Sequence, residues 1–306
     1  MSLSSRIPAF MGAEKSASAA GFHAAIFGAP HGTPYRGIDN TPYQSAPNAF
    51  RKAVATDADW IDHWDFDLGG QPLGPGLRLA DLGNLPTTPR SGGRNRKRIE
   101  ACTRAILDAG AVPIMFGGDD SVPIPFIEAF SGQPPSVILQ VDAHIDWRHE
   151  RHGETHGFSS TMRRASEQPH VWRIVQAGMR GIGSARQAEV QDALTWGARL
   201  ITARDIHRQG VGIVLEHIPE DCDCVISLDC DAIDVSQMPA VSYPTPGGLL
   251  YHQIIDLIDG VAAKARIAGM ALVEFVPKRD MNRTAAFTAA RIAANVIGRL
   301  RRPRQP

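Results

Sequence analysis

The stretch Val137-Ile-Leu-Gln-Val-Asp-Ala-His-Ile-Asp146 joins a largely apolar run to a cluster of acidic and imidazole side chains. A short apolar run of this kind, 137–141, is typical of a strand covered on both faces in a parallel sheet. Asp142, His144 and Asp146 follow at every second position, so in extended backbone their side chains would share one face. The stretch therefore predicts a buried parallel strand that presents polar groups at one edge of the sheet.

Further apolar runs alternate with helical stretches on both sides of this segment. Arg96–Ala109 has apolar residues at helical spacing, and a closing helix is predicted over Arg283–Arg302 with Asn282 as its N-cap. Apolar strands separated by helices indicate an α/β fold whose sheet is mainly parallel and covered on both faces. The other strand candidates are Ala24–Phe27, a run that ends at Leu82, Val112–Phe116, Ile174–Gly178, Arg199–Thr202, Val225–Leu228 and Ala268–Val273.

The α/β series is not divided by an internal repeat or by a Pro/Gly-rich linker. We therefore interpret residues 1–306 as a single domain. Residues 1–20 are rich in Ser and Ala but lack the continuous apolar segment of a secretory signal. We expect a flexible N-terminal extension there.

Composition and charge argue against several classes of protein. The 306 residues are 43% hydrophobic and 21% charged, which is enough to form a packed core and is unlike a disordered chain. Lys+Arg and Asp+Glu are 32 each, so the basic excess of a nucleic-acid or membrane-surface binder is missing. Apolar runs are too short for a membrane span. Only four cysteines occur, which favours free thiols in a reducing cytoplasm over a disulfide framework.

Polar clusters follow four of the predicted strands. Ligands of open parallel sheets bind outside the carboxyl ends of the strands, so these clusters are expected at one edge. So many carboxylates can converge at apolar strand ends only if cations neutralise them. Oxygen-rich ligation with an imidazole suits Mn²⁺, and bridging carboxylates suit a pair of ions. The clusters are Gly117–Ser121, Asp142–Asp146, Asp229–Asp234 and Glu274.

These motifs resemble those of the ureohydrolase family, which includes arginases, agmatinases and guanidino-acid amidinohydrolases. Gly-Gly-Asp-Asp-Ser at 117–121 resembles the family's Gly-Gly-Asp-His-Ser, and Asp-Ala-His-Ile-Asp at 142–146 matches its Asp-Ala-His-x-Asp. Ser-Leu-Asp-Cys-Asp-Ala-Ile-Asp at 227–234 matches the third signature, Ser-x-Asp-x-Asp-x-x-Asp. Glu274 in Val-Glu-Phe-Val-Pro-Lys also matches. The resemblance is greatest to bacterial agmatinase-like members.

The resemblance implies a three-layer α/β/α sandwich, a trimeric or hexameric assembly, and two Mn²⁺ ions, with Ni²⁺ as the alternative. At position 120 the family's usual histidine is replaced by Asp120, which adds negative charge and should favour hard, oxygen-preferring cations. Carried over by motif position, Asp142 and Asp229 bridge the ions, His144 and Asp231 complete one shell, and Asp146 with Asp120 completes the other.

The activity implied by the resemblance is hydrolysis of a guanidino compound, agmatine or a guanidino acid, to urea and an amine. A hydroxide held between the ions would attack the guanidinium carbon. Asp146 would accept its proton and pass it to the departing amine, and Glu274 would pair with the guanidinium NH groups. His156 is the candidate for proton exchange with solvent, whereas an ungapped count from Arg163-Arg164-Ala165 places Phe158 at that position.

Substrate contacts outside these motifs are open to two interpretations each. Trp147 could lie over the guanidinium face, or it could be a packing residue under the loop. Arg148 could meet the acidic tail of a guanidino acid, or it could be a surface arginine. Two alternatives to the main function also remain. One is an amidine or biguanide hydrolase, and the other is a non-catalytic subunit that pairs with an active paralogue in place of a homo-oligomer.

Overall fold

The computed structural model describes residues 7–183 and 185–300. Nine strands in these two ranges form one sheet, and all their pairings are parallel. The prediction of an α/β fold with a parallel sheet is thus confirmed. The strands are β1 (Glu14–Lys15), β2 (Ala24–Ala29), β3 (Leu79–Asn84), β4 (Val112–Gly117), β5 (Ser136–Val141), β6 (Val171–Met179), β7 (Arg199–Thr202), β8 (Asp223–Asp229) and β9 (Arg266–Val273).

Strand order across the sheet is β1-β3-β2-β4-β9-β8-β5-β6-β7. The apolar runs recognised in the sequence lie within strands β2–β9, although several of these strands extend a few residues beyond the run, and β1 was not predicted. Strands β2 and β5 are buried at every residue, as expected of strands that are covered on both faces. The order makes β4, β9, β8 and β5 successive neighbours, and these are the four strands followed by polar clusters.

Helices cover both faces of the sheet and complete the three-layer α/β/α sandwich. They are α1 (Ala46–Ala53), α2 (Gly92–Asp108), α3 (Pro123–Glu128), α4 (Thr161–Ser166), α5 (Gln187–Trp196), α6 (Ala203–Gln209), α7 (Gly212–Leu215), α8 (Tyr251–Lys264) and α9 (Thr284–Gly298). Buried side chains of α1 and α6–α9 belong to one hydrophobic cluster, and those of α2–α5 belong to a second. Short 3₁₀ turns lie at Thr41–Tyr43, Thr56–Trp60, Cys230–Ala232 and Pro277–Arg279.

The N-terminal segment corrects one expectation. Residues 7–20 pack against the sheet, whereas a flexible extension was expected over 1–20; residues 1–6 lie outside the described ranges. Phe10 is buried against Phe116, with ring centroids 5.0 Å apart, and its backbone N–H donates to the Asp81 carboxylate at 3.0 Å. The apolar side chain of Phe10 anchors a segment whose overall composition is that of a loose tail.

The closing helix α9 begins at Thr284, one residue after the predicted start, and ends at Gly298, whereas residues 301 and 302 of the predicted helix lie outside the described ranges. Its cap also differs from the prediction. Asn282 and Arg283 both have left-handed backbone, with φ of 57° and 60°, and neither side chain caps the helix. The carboxylate of Asp280 instead accepts hydrogen bonds from the N–H groups of Ala285 and Ala286, both at 3.0 Å. The left-handed turn brings this earlier residue to the helix N-terminus, so the predicted cap at Asn282 is wrong.

Two further sequence expectations can be compared with the structure. Cys102, Cys222, Cys224 and Cys230 are all free thiols. Within residues 7–183 and 185–300, the helices lack the length and apolar character required to cross a bilayer.

Candidate active site

Four polar clusters converge at the carboxyl edge of the sheet. They follow β4, β9, β8 and β5, which are consecutive neighbours, so the side chains that follow them meet over the centre of the sheet. The aspartates concerned are almost fully buried, with exposures of 1–4%. The residues brought together are Asp120, Asp142, His144, Asp146, Asp229, Asp231 and Glu274.

Two groups of potential metal ligands share one aspartate. In the first group, ligand atoms of Asp142, His144 and Asp231 all lie within 4.8 Å of one another. In the second group, the same holds for Asp142 with Asp120 and Asp229. Because Asp142 belongs to both groups, its carboxylate is placed to bridge two cations. The motifs predict a bridging role for Asp142 and also for Asp229, which belongs to the second group alone.

Asp146 reaches the cluster from a turn with unusual backbone. Its φ is 45°, in the left-handed region that residues other than glycine seldom adopt. The Oδ2 atom accepts a hydrogen bond from Gln140 Nε2 at 2.7 Å, and the same nitrogen donates to Asp142 Oδ2 at 2.7 Å. One amide group therefore holds the two carboxylates side by side. Strained backbone of this kind is common at functional sites.

Gln140 and Gln176 form a buried support for the cluster that sequence reasoning missed. Gln176 Nε2 donates to Gln140 Oε1 and to the carbonyl of Ile145 at 2.8 Å, which fixes the orientation of the Gln140 amide. Both glutamines are fully buried in neighbouring strands, β5 and β6. The run 137–141 was interpreted as simply apolar. The signal was an amide two residues before Asp142, on the same face of the strand.

Replacing Gln140 by leucine should weaken metal binding by about 10- to 100-fold, the usual effect of losing a hydrogen bond to a ligand. Without the shared donor, the carboxylates of Asp142 and Asp146 lose their common anchor. Calorimetric titration of the metal-free variant with Mn²⁺ measures the affinity directly. The control is Gln191→Leu, which alters an exposed glutamine in α5. Equal Mn²⁺ affinity of the Gln140 variant and the wild type would show that Gln140 does not support the metal ligands.

Hydrogen bonds from the protein only partly offset the burial and mutual repulsion of the carboxylates. Burial, followed by the charges of neighbouring carboxylates, raises the pKa values of Asp120, Asp142, Asp146 and Asp229 above the ordinary range. Burial also works against the charge of Asp231, but the adjacent imidazole lowers its pKa. Neither carboxylate oxygen of Asp120 accepts a hydrogen bond from the described residues.

His144 completes the cluster with its imidazole. Its Nδ1 lies 3.1 Å from Asp231 Oδ2 and 3.4 Å from Asp142 Oδ1. Burial would lower the pKa of His144, but the two carboxylates prevail and raise it to about 12. The imidazole is thus held at a point of strongly negative potential, where a metal cation would be favoured as well as a proton.

This donor set fits divalent cations. Five aspartates, one imidazole and two divalent ions would carry one net negative charge, against five negative charges for the ionised aspartates alone. Unsatisfied carboxylate oxygens are the groups that hard cations bind, and a set this rich in oxygen suits Mn²⁺. The residues held together at the strand ends can therefore accommodate the ion pair that the motifs imply.

Glu274 follows β9 and faces the same space. Its φ is 63°, its N–H donates to the Gly118 carbonyl at 2.9 Å, and its Oε1 accepts from the Asp120 N–H at 2.8 Å. At Gly118, a Cβ would lie 2.5 Å from the carbonyl oxygen of Pro30, so only glycine allows the backbone at 118 to pass this close to Pro30. Burial, followed by the charge of Asp119, raises the pKa of Glu274 to about 8. A bound cation would favour its charged form.

A cavity of about 880 Å³ opens over the cluster. Its lining includes most of the predicted site residues: Asp120, His144, Asp146, Asp229, Asp231 and Glu274. The outer wall contains three arginines and Tyr243, and only Arg148 among them was singled out in the sequence. The cavity is large enough for a small guanidino compound and is continuous with solvent.

Trp147 does not reach this cavity, which corrects its prediction as a substrate contact. Its side chain is 2% exposed and lies in the same hydrophobic cluster as Met162 and Ala165. Its ring centroid is 5.9 Å from that of Trp196. The turn at Asp146 directs the next side chain into the protein, so the alternative interpretation as a packing residue describes its position.

His156 also lies away from the cavity wall, in contrast to its predicted role as a proton shuttle. Its Nδ1 hydrogen-bonds to Thr155 Oγ1 at 2.8 Å, and burial, followed by the charge of Arg96, lowers its pKa. Phe158, which the ungapped count places at the position of the family histidine, lines the cavity. The second histidine in the cavity wall is the exposed His152, which has a φ of 54°.

Comparison with known proteins gives a consistent result. A sequence profile of the arginase family matches residues 22–298. An N(1)-aminopropylagmatine ureohydrolase of Thermus thermophilus is 31% identical over 283 residues, which is 86% of this chain and 93% of the relative. The agmatinase of Pyrococcus horikoshii is 25% identical over 253 residues, 82% and 83% of the two chains. The solved structure of proclavaminate amidinohydrolase from Streptomyces clavuligerus superposes with a TM-score of 0.84 at 24% identity, covering 96% and 97%.

Proposed function

The chain belongs to the arginase family, and from this premise we propose that it hydrolyses a guanidino compound to urea and an amine at a site that holds two divalent cations. The observation that carries the proposal is the membership of Asp142 in both ligand groups. Mn²⁺ is the cation that the oxygen-rich donor set favours, with Ni²⁺ as the alternative. Asp142 and Asp229 would bridge, His144 and Asp231 would hold one ion, and Asp120 and Asp146 would hold the other.

The reaction divides its tasks among a few buried residues. A pair of divalent cations, when bound, supplies the positive charge that makes water nucleophilic near neutral pH. The carboxylate of Glu274, which is fixed by the Asp120 N–H at 2.8 Å, binds the planar guanidinium and orients its carbon. At Asp146, Oδ2 is held by Gln140, so we assign Oδ1 to accept the proton of the attacking water and return it to the departing amine.

Proton exchange with solvent is reassigned from His156 to His152. We expect His152→Ala to lower kcat by about tenfold, with partial rescue by imidazole in the buffer, because the imidazole in the cavity wall is removed. His156→Ala should change kcat by less than about twofold, because general acid–base effects require hydrogen-bond reach. Steady-state urea release by both variants makes the comparison. A larger loss with His156→Ala would restore the original prediction.

The substrate is a small guanidino compound such as agmatine or a guanidino acid. The test is urea release by Mn²⁺- and Ni²⁺-loaded protein from agmatine, guanidinobutyrate, guanidinopropionate, arginine and biguanides. Urea from at least one guanidine supports the proposal, whereas guanylurea from biguanides alone would favour the biguanide hydrolase. No product from any compound, together with less than one ion per chain, would favour a non-catalytic subunit.

Assembly and location are also part of the proposal. We propose one domain that forms a homo-oligomer, a trimer or hexamer, in the cytoplasm. The four free thiols support a reducing compartment. Light scattering of the purified protein measures the oligomer size, and co-purification with a paralogue would indicate a hetero-oligomer.

A further inference from the structure

The buried part and the outer wall of the cavity carry opposite charges. The buried part carries five carboxylates, from Asp120, Asp146, Asp229, Asp231 and Glu274. The partly exposed wall instead carries the side chains of Arg148, Arg151 and Arg186. On the basis of the proposed function, we infer that the three arginines form a carboxylate subsite, and that the substrate is a guanidino acid rather than a guanidino amine.

Arg148 and Arg186 both lie near the carboxylate of Glu189. Glu189 Oε1 lies 3.9 Å from Arg148 Nε and 3.5 Å from Arg186 Nη1. One negative charge shared by two guanidinium groups leaves a net positive charge at this point of the wall. The side chain of Arg186 is 78% exposed, so it can turn toward an incoming anion. The side chain of Arg148 is 16% exposed, so its position is more restricted than that of Arg186.

Arg151 provides the third positive charge. Its guanidinium carbon lies 5.3 Å from the centroid of the Tyr35 ring, a cation–π contact that limits its positions. Tyr35 is itself fixed, because its hydroxyl lies 2.6 Å from Ser159 Oγ. The acidic residue of this wall, Glu150, is already engaged by the Gly153 N–H at 2.9 Å. With Glu150 and Glu189 counted against the three arginines, the wall keeps one net positive charge.

This division of charge selects the tail of the substrate. The guanidinium group must enter the carboxylate end, where hydrolysis occurs, so the other end of the substrate faces the arginines. A carboxylate there is attracted and can be bound bidentately by a guanidinium fork. An ammonium group at the same position would be repelled by the net positive charge. A guanidino acid therefore matches both ends of the cavity, whereas agmatine matches only one.

The test compares three guanidines that have the same four-carbon chain but different tail charges: guanidinobutyrate, butylguanidine and agmatine. With Mn²⁺-loaded protein, we expect kcat/KM to fall in that order, by about tenfold or more between the acid and agmatine. Arg151→Gln and Arg186→Gln should each lower the ratio of kcat/KM for the acid to that for butylguanidine, mainly through KM. Arg208→Gln, an exposed arginine in α6 outside the cavity, is the matched control and should leave the ratio unchanged.

The outcomes separate this inference from the proposed function. Hydrolysis of butylguanidine with no preference for the acid over agmatine would overturn the carboxylate subsite and leave the hydrolase intact. If no guanidine is hydrolysed, calorimetric binding of the three compounds decides. Tighter binding of the acid, lost in the two cavity variants but retained in Arg208→Gln, would support the subsite without the hydrolase. Equal binding of all three compounds, without hydrolysis, would contradict both the carboxylate subsite and the proposed hydrolase function.

Discussion

Asp229→Asn should lower urea release by about 10³-fold, because it removes the charge of a proposed bridging carboxylate from the proposed metal site. The amide keeps an oxygen that can accept the hydrogen bond from the Asp231 N–H, which Asp229 Oδ1 accepts at 2.7 Å. Loss of activity would therefore not reflect loss of the turn at Cys230–Ala232. Mn²⁺ content after reconstitution and dialysis should fall below two ions per chain.

The same variant should increase the folding stability of the metal-free protein. Burial, followed by the charges of Asp231 and Asp142, raises the pKa of Asp229 in the folded state, so its ionisation at neutral pH costs folding free energy. The neutral amide avoids that cost. We expect metal-free Asp229→Asn to melt at a higher temperature than the metal-free wild type near pH 7. The difference should vanish as the pH falls below the unfolded-state pKa of about 4, where both side chains are neutral.

The control for Asp229 lies at the other end of the same strand. Asp223→Ala removes an aspartate that pairs with the exposed Arg266 at the start of β8, so it should leave Mn²⁺ binding and urea release unchanged. Retention of two ions and full activity by Asp229→Asn would mean that the ligand assignment is incorrect.

Glu274→Gln should lower kcat/KM by about 10²- to 10³-fold while both ions stay bound. Removing one partner of a buried charge pair typically costs about 2–5 kcal/mol, and each 1.4 kcal/mol is a factor of ten. The glutamine keeps the size of the side chain and an oxygen for the Asp120 N–H, but it loses the negative charge that is proposed to pair with the guanidinium.

Two measurements on this variant distinguish binding from metal loss. Elemental analysis should find the Mn²⁺ content of the wild type, and steady-state kinetics should show a rise in KM. A normal kcat/KM for every guanidine would show that Glu274 does not bind the guanidinium. Loss of the ions would instead indicate that Glu274 supports the metal site and has no separate role in substrate binding.

The fold could be predicted because its signals are local. Strands β4, β5, β8 and β9 are apolar runs that end in polar clusters, and parallel pairing forces those ends to one edge. Most of the acidic residues that follow these runs meet in the structure. Asp234 is an exception, because it is partly exposed and its carboxylate accepts hydrogen bonds from the Gly247 and Gly248 N–H groups. Sequence alone thus located the candidate site, because the strand direction fixes which end of each run lies at the carboxyl edge of the sheet.

Residues outside the strands were harder to place, because a loop can turn any side chain either way. The left-handed turn at Asp146 sends Trp147 into the core and not over the cavity. His156 is not among the residues that line the cavity. A Cβ at the next residue, Gly157, would collide with the Tyr35 ring, so the close approach of this backbone to Tyr35 depends on glycine. The backbone conformations at Asp146 and at Gly157 could not be predicted from the residue types alone.

Contacts between distant segments could not be predicted from the sequence, even where one partner, such as Gln140, carried a signal. Gln140 and Gln176 meet because β5 and β6 are paired in one register, which single-strand patterns do not reveal. The pairing of Arg148 and Arg186 through Glu189 likewise depends on where α5 lies relative to the loop after β5. Such contacts join segments that are far apart along the chain.

Anomalous diffraction from crystals grown with Mn²⁺ tests the central claim most directly. We expect two peaks about 3.5–4 Å apart, one within reach of Asp142, His144 and Asp231, and the other within reach of Asp142, Asp120 and Asp229. Crystals saturated with Mn²⁺ that show no peak at these carboxylates, or show ions bound only elsewhere on the protein, would contradict the account.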